Sequence, residues 1–335
     1  MTTSTGQASG QASGQSNGRR ADEHVSDGTG ATRSRRTGLA WLGLVPFFAY
    51  VFVFFLVPIA FILYSALRKT TAGVAVRDPV TQQFVHKDAK TVYTAANLAD
   101  SLKGVYRTSL VNSFKLSLFV AIVGAVLGVL LAYAVVNSGS VVLRQVVTAA
   151  AAVTANFGGV PLAFLFIATV GNAGALTAFL NDHVGISLQD DVGFRLTTTV
   201  GIGLVYMYFL VPLMVLVMTP ALEGLKPQWG EAAENLGASR WSYWRYVAGP
   251  VLLPNFLGST LLLFCSSFSA YATADALVGQ AFPLVPLQIS NAVAGNVLVG
   301  ESGLGAALAL DMVIIVLPLT VIYQLLQRRT SRWLA

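Results

Sequence analysis

Apolar residues gather in long blocks along this chain, separated by short polar stretches, instead of alternating or repeating as a narrow stripe. Six blocks stand out, at about residues 41–67, 113–136, 146–170, 198–221, 247–270 and 304–326. A helix needs about 20 predominantly apolar residues to cross a bilayer, so the pattern predicts an all-α membrane protein with six transmembrane helices. Pro58, Pro161, Pro212 and Pro318 fall inside these blocks or near their ends. Such breakers are tolerated where neighbouring helices satisfy the freed backbone groups, which predicts a packed bundle over isolated anchors.

Within the second block, Gly124, Gly128 and Ala132 recur every four residues, a small-residue stripe that permits close helix approach. The third block is interrupted by Asn156, Gly158, Gly159 and Pro161. Unwinding beside a solute path and a simple packing kink both account for that interruption. The resulting organisation is a tail over 1–38, a first transmembrane helix over 39–67, an extracytoplasmic loop over 68–112, a five-helix core over 113–326 with a polar loop at 222–246, and a short tail over 327–335. The 1–38 tail is low in complexity and poor in apolar residues, and is expected to be disordered. The first block is too long for a signal-peptide core and is expected to stay as a span.

Composition agrees: of 335 residues, 55% are hydrophobic and only 11% charged, too apolar for a soluble domain of that length. The net charge of +6 is distributed in a way that argues against nucleic acid. Arg19, Arg20, Arg33, Arg35 and Arg36 precede the first block, Lys226, Arg240 and Arg245 lie between the fourth and fifth, and Arg328, Arg329 and Arg332 follow the last. By the positive-inside rule this predicts both termini in the cytoplasm. The 68–112 segment is the exception, with Arg68, Lys69, Arg77, Lys87, Lys90, Lys103 and Arg107 on the side predicted to face out. Cys265 is the lone cysteine, and His24, His86 and His183 lack ligand-like spacing, so no metal site is expected. No phosphate-binding Gly-x-x-x-x-Gly-Lys-Ser/Thr loop exists, and any ATP used must be bound by another chain.

The polar loop between the fourth and fifth blocks carries Glu231-Ala232-Ala233, then Gly237, Val247 and Gly249-Pro250. Pro227 suits the first turn of a short helix, Gly237 a left-handed close, and Ser239 the cap of a second helix bearing Trp241, Tyr243 and Trp244. This spacing resembles the EAA loop of the membrane subunits of binding-protein-dependent ABC importers, with Val247 and Gly249 standing where that pattern has Ile and Leu. The similarity extends over roughly 113–326, and the opening segment from Leu44 to Leu67 is similar to the sugar, polyamine and ferric-ion branches.

The resemblance implies a type I importer permease core in the bacterial inner membrane, with no catalytic residue of its own. It further implies two separate ATPase subunits holding ATP and Mg, a second permease subunit (a copy or a paralogue), an extracytoplasmic solute-binding protein and a small solute. Glu231, Ala232, Ala233, Gly237 and Arg240 are then the residues that couple to the ATPase. Asn156, Ser267, Tyr271, Asp275 and Asp311 are the candidates for the solute path. Ser267, Tyr271 and Asp275 recur every four residues, and Asp311 lies inside the sixth block, where a charge costs about 2.5–3.5 kcal/mol on insertion scales. Asp275 in external solvent and Asp311 as a structural acceptor are the alternatives. An ion-coupled secondary transporter using Asp311 as a relay is the rival function. A membrane-embedded enzyme would need clustered acids or histidines, and the acids here are scattered.

Overall fold

The computed structural model describes residues 44–71, 75–77, 84–86, 90–294 and 302–331; the tail expected over 1–38 lies outside them. The chain divides into two compact units, one ending at Leu56 and the other starting at Val57. The described part of the first unit is helix α1 (Val45–Val51) followed by a π-helical turn, Phe52–Leu56. None of its side chains is buried, and Tyr50 stacks obliquely on Phe54 at 4.8 Å.

The second unit runs α2 (Val57–Ala66), strands β1 (Arg68–Thr71), β2 (Ala75–Arg77), β3 (Phe84–His86) and β4 (Lys90–Tyr93), then α3 (Ala96–Ser101) and α4 (Gly104–Asn137). It continues with α5 (Val141–Ala155), α6 (Val160–Val170), α7 (Ala175–Val184) and α8 (Thr199–Glu223). Two short helices follow, α9 (Pro227–Asn235) and α10 (Arg240–Tyr243), and a π-helical turn over Trp244–Ala248 leads into α11 (Gly249–Phe268). A pair of short helices, α12 (Ala272–Val278) and α13 (Val285–Val293), precedes the last helix, α14 (Ser302–Ser331). Among the described residues, six segments are long and apolar enough to cross a membrane: Val45–Ala66, Gly104–Asn137, Val160–Val184, Thr199–Glu223, Arg240–Phe268 and Gly303–Leu325.

The core lies where α4, α8 and α11 meet. Leu116, Val120, Ile202, Tyr206, Met214 and Leu263 are fully or almost fully buried there. The small-residue stripe makes this approach possible. A Cβ on Gly128 would collide with Met214 and come within 3.0 Å of the Val211 carbonyl oxygen, and one on Gly124 would lie 3.3 Å from Leu263 Cδ2.

Three expectations are corrected. The second helix starts at Gly104, not 113, so the end of the predicted 68–112 loop is helical. Its polar first turns look loop-like in sequence, yet their side chains find distant partners: Asn112 donates to the Pro283 carbonyl at 3.3 Å, and Ser113 Oγ accepts from the Val285 N–H at 2.9 Å. The block read over 146–170 is two helices, α5 and α6, separated at Asn156–Gly159, where Gly159 has a φ of 82°. The last helix continues past 326 to Ser331.

Among the described residues of the 68–112 segment, two antiparallel strand pairs form, with Arg68 opposite Tyr93 in one and Arg77 opposite Phe84 in the other. Asn97 fastens α3 to the end of α2 by donating to the carbonyls of Ala66 and Arg68, both at 3.0 Å. Asp100 takes ion pairs from Lys69 and Lys103, each at 3.1 Å. Those two ammonium groups, Lys69 first, hold its carboxyl below the usual carboxylate range. Two of the basic residues that set this segment apart from the positive-inside pattern therefore have their counter-charge beside them.

Candidate functional site

The loop between α8 and α11 is a compact knob. Pro227 occupies the first helical position of α9, where its missing N–H goes unused in any case. After Asn235 the chain reverses at Gly237, whose φ of 74° lies in the left-handed region. The Gly237 N–H donates to the Glu234 carbonyl and the Ala238 N–H to the Ala233 carbonyl, both at 2.9 Å. These are the two bonds of a Schellman close. A Cβ on Gly237 would meet nothing within 4 Å, so glycine is required by the backbone angle alone. Ser239 then caps α10, its Oγ accepting the Ser242 N–H at 3.2 Å.

The expected second helix is shorter than its sequence suggests. It ends at Tyr243 and passes through the Trp244–Ala248 π-turn straight into α11, so knob and span are one continuous piece. Such turns within helices recur at functional positions. Here the turn brings Trp244 edge-on to Tyr133 at 5.3 Å, against the end of α4. An ion pair between Arg144 and Glu223, at 2.8 Å, ties the start of α5 to the end of α8.

The outer face of the knob exposes large apolar side chains. Leu236 is 87% exposed, Trp241 73% and Tyr246 72%. Beside Leu236 and Tyr246 opens a cavity of about 620 Å³, lined by Trp229, Ala232, Ala233, Leu236, Tyr246 and Pro250 among others. A smaller recess of about 290 Å³ lies on the other side, between the knob and Tyr133, and includes Glu234, Arg240 and Trp244. Of the five residues expected to couple, Ala232 and Ala233 thus line the groove, Glu231 and Arg240 are exposed, and Gly237 makes the turn. Of the exposed apolar trio the sequence names Trp241 alone, with Tyr243 and Trp244 on the second knob helix; Leu236, Tyr246 and the Trp244–Tyr133 contact were not singled out.

The solute-path candidates divide. Asn156 and Asp275 are exposed, and Tyr271 is 40% exposed. The interruption after Asn156 is held to α12 by a bond from the Gly159 N–H to Thr273 Oγ1, at 2.8 Å. Ser267 is buried, and its hydroxyl has no hydrogen-bond partner among the described residues. Asp311 faces protein, as its stripe with Gly303 and Ala307 suggests, and is 8% exposed. That stripe lies against the end of α2 and α3, since a Cβ on Gly303 would press on the Ser65 carbonyl oxygen at 2.9 Å. Asp311 Oδ2 likewise has no partner among the described residues, and no described hydrogen bond joins Asp311 to the other four. Among the described residues no three His, Cys, Asp or Glu side chains converge in a way that could hold a metal ion.

Comparison with known proteins decides the family. The family described as "Binding-protein-dependent transport system inner membrane component" matches residues 124–332, more than half of the chain and inclusive of the whole knob. The chain belongs to this family. Its relatives include the sulfate transport system permease protein CysT of Escherichia coli (strain K12), 32% identical over 83 residues, covering 25% of this chain and 30% of that protein. The spermidine/putrescine transport system permease protein PotC of Haemophilus influenzae is 28% identical over 128 residues, 38% of this chain and 48% of that protein. Both matches span less than half of the relative's length. The trehalose transport system permease protein SugB of Mycobacterium tuberculosis is 23% identical over 249 residues, 72% of this chain and 82% of that one. The fold matches a chain of a bacterial ABC transporter involved in the import of alginate, with a TM-score of 0.62 at 14% identity, covering 88% of this permease and 96% of that chain.

Proposed function

We propose that this permease is the membrane-spanning subunit of an ATP-driven importer that moves a small solute across the bacterial inner membrane. The observation that carries the reading is the knob: a rigid, capped helical pair with an exposed apolar tip, continuous with a membrane span. A loose loop would absorb a displacement, whereas this one transmits it. Each of two ATPase subunits, holding ATP and Mg, takes one such knob in a surface groove. A second permease subunit, identical or paralogous, completes the pathway, and an extracytoplasmic binding protein delivers the solute to it.

Leu236 supplies the direct test. At 87% exposure it contributes almost nothing to this chain's own packing, but an exposed leucine at the centre of an apolar tip is a natural anchor. Burying an aspartate there in a partner's groove would cost about 2 kcal/mol or more, the scale of an interface hot spot. Leu236→Asp is therefore expected to reach the membrane normally and to retain at least tenfold less ATPase subunit on co-purification. Undiminished co-purification would remove the knob from the interface.

Both termini are placed in the cytoplasm by this proposal. With Cys265 replaced by Ala, a cysteine at Asp182 is expected to react with an impermeant thiol reagent added from outside, and one at Glu234 only after permeabilisation. Labelling of Glu234→Cys from outside would overturn the orientation and the coupling role together.

The ion-coupled alternative draws on one observation, the unpartnered Oδ2 of Asp311 inside the sixth span. Reconstituted vesicles separate the two readings. Uptake that needs ATP and the ATPase subunits supports the importer, and uptake driven by an ion gradient without them supports the alternative.

A further inference from the structure

Between the fifth and sixth spans, at the end of α11 opposite the knob, α12 and α13 form a hairpin whose two faces differ sharply. One face is packed away: Thr273, Ala274, Leu277 and Val278 of α12 and Val285, Leu287 and Ala292 of α13 are buried. It is fixed to the bundle by the Gly159–Thr273 bond, the Ser113–Val285 bond and the bond from Asn112 to Pro283. The other face carries Tyr271, Asp275, Gln280, Ser290 and Asn291, all exposed or half-exposed.

Those five side chains are pre-arranged. Ser290 donates to the Tyr271 hydroxyl at 3.0 Å, and Tyr271 donates in turn to Asp275 Oδ2 at 3.3 Å. Gln280 and Asn291 exchange two amide bonds, at 3.1 and 2.8 Å. One set of bonds ties Ser290 of α13 to the start of α12 and the other ties Asn291 of α13 to Gln280 in the turn between the helices, so the polar face is a linked platform and not a set of free side chains. One turn before Tyr271, Ser267 keeps a buried hydroxyl with no partner among the described residues. The carboxylate of Asp275 forms no ion pair among the described residues, where three salt bridges occur elsewhere. From Tyr246 to Gln327 the chain has no Lys, Arg or His, so the hairpin and its flanking spans supply no cation of their own, while they carry Asp275, Glu301 and Asp311.

We infer that the α12–α13 platform is a solute subsite for hydrogen-bond-donating, non-anionic groups, the ammonium or hydroxyl groups of an amine or polyol, and that it disfavours oxyanions. A carboxylate, a phenol oxygen and two amide carbonyls accept hydrogen bonds from such groups. An oxyanion arriving there would meet the Asp275 carboxylate, which has no ion-pair partner among the described residues. The inference rests on the importer reading, and it adds to that reading which chemistry passes the end of the bundle opposite the ATPase side.

The test reads the platform's charge directly and does not depend on the ATPase. In a Cys265→Ala background, Ser290→Cys is labelled in membrane vesicles with a trimethylammonium-ethyl and a sulfonatoethyl methanethiosulfonate reagent. A carboxylate without an ion-pair partner raises the local concentration of cations, so the cationic reagent is expected to react about tenfold faster than the anionic one, after normalisation to a free thiol. Adding Asp275→Asn is expected to collapse that ratio toward one, and Asp275→Lys to invert it. A ratio near one in the unaltered background, a ratio indifferent to Asp275, or no labelling by either reagent would each overturn the subsite. A second arm identifies the ligand of the cognate binding protein by calorimetry against spermidine, trehalose and sulfate. Binding of sulfate would also overturn the inference, and failure of Leu236→Asp to affect ATPase association would instead count against the importer reading.

Discussion

Replacing Gly128 by leucine is expected to leave little folded permease in the membrane. A Cβ at this position would sit 2.6 Å from Met214 Cγ and 3.0 Å from the Val211 carbonyl oxygen, and closer still to Met214 Cβ. The obstruction is the root of a side chain and a stretch of backbone, not the flexible end of a side chain, so it cannot swing aside. The remedy is for α4 and α8 to move apart. In a bilayer that separation is expensive in a particular way: lipid tails are as apolar as leucine, and close van der Waals packing is what holds such helices together. Overpacking costs about 1–3 kcal/mol even where a core can relax, and here a whole branched side chain must be accommodated. Size-exclusion profiles of detergent-extracted protein provide the measurement, with yield expected to fall several-fold. Gly158→Ala is the control, because a Cβ there would meet nothing within 4 Å. Wild-type yield from Gly128→Leu would mean that α4 and α8 do not approach as described.

Replacing Gly237 by valine is expected to do the reverse, leaving protein levels intact while abolishing most transport. No atom lies in the way of a side chain at Gly237; the penalty is its φ of 74° alone. Left-handed backbone costs an ordinary residue about 1–2 kcal/mol, more for a β-branched one. That cost falls on an exposed turn, so it is met by opening the turn and losing the Ala238–Ala233 bond, not by unfolding the bundle. An opened turn lets α9 tilt away from α10 and spoils the groove between them. Transport and solute-stimulated ATP hydrolysis are expected to drop tenfold or more in Gly237→Val. Gly237→Asn, whose side chain tolerates left-handed geometry, should keep activity within about threefold of the original. Equal activity in the two variants would separate this turn from the work the knob performs.

The knob was legible in sequence because its determinants are local. Pro227, Gly237 and Ser239 each dictate a backbone angle or a cap within a few residues, and the structure uses all three as expected. The bundle was legible for a similar reason, since a span declares itself by the length of its apolar run. The platform at the far end was not. Thr273 looks like an ordinary loop threonine until Gly159, more than a hundred positions earlier, proves to be its partner, and Ser113 looks like the plain start of an apolar block until Val285 bonds to it. Asp275 and Tyr271 were identified by their spacing, but Ser290 and Asn291 of α13, and Gln280 in the turn before it, complete the platform from a stretch with no strong sequence signature. Asp311 was correctly read as facing protein, yet the neighbour it faces is α3, a helix hidden in a segment read as a loop.

The 34 residues of α4 make a single stiff member, and its two ends are occupied by different business. Tyr133 near one end touches Trp244 of the knob; Ser113 near the other holds Val285 of the hairpin. Twenty residues of helix separate these contacts, about 30 Å of axial length. Pivoted at the glycine stripe between them, such a member acts as a lever: a tilt of about 5° would carry its ends about 2.5 Å relative to one another across the bilayer, for a helix of that length. That displacement is close to the length of one hydrogen bond, enough to make or break the Ser113–Val285 link without any change in the internal geometry of either end.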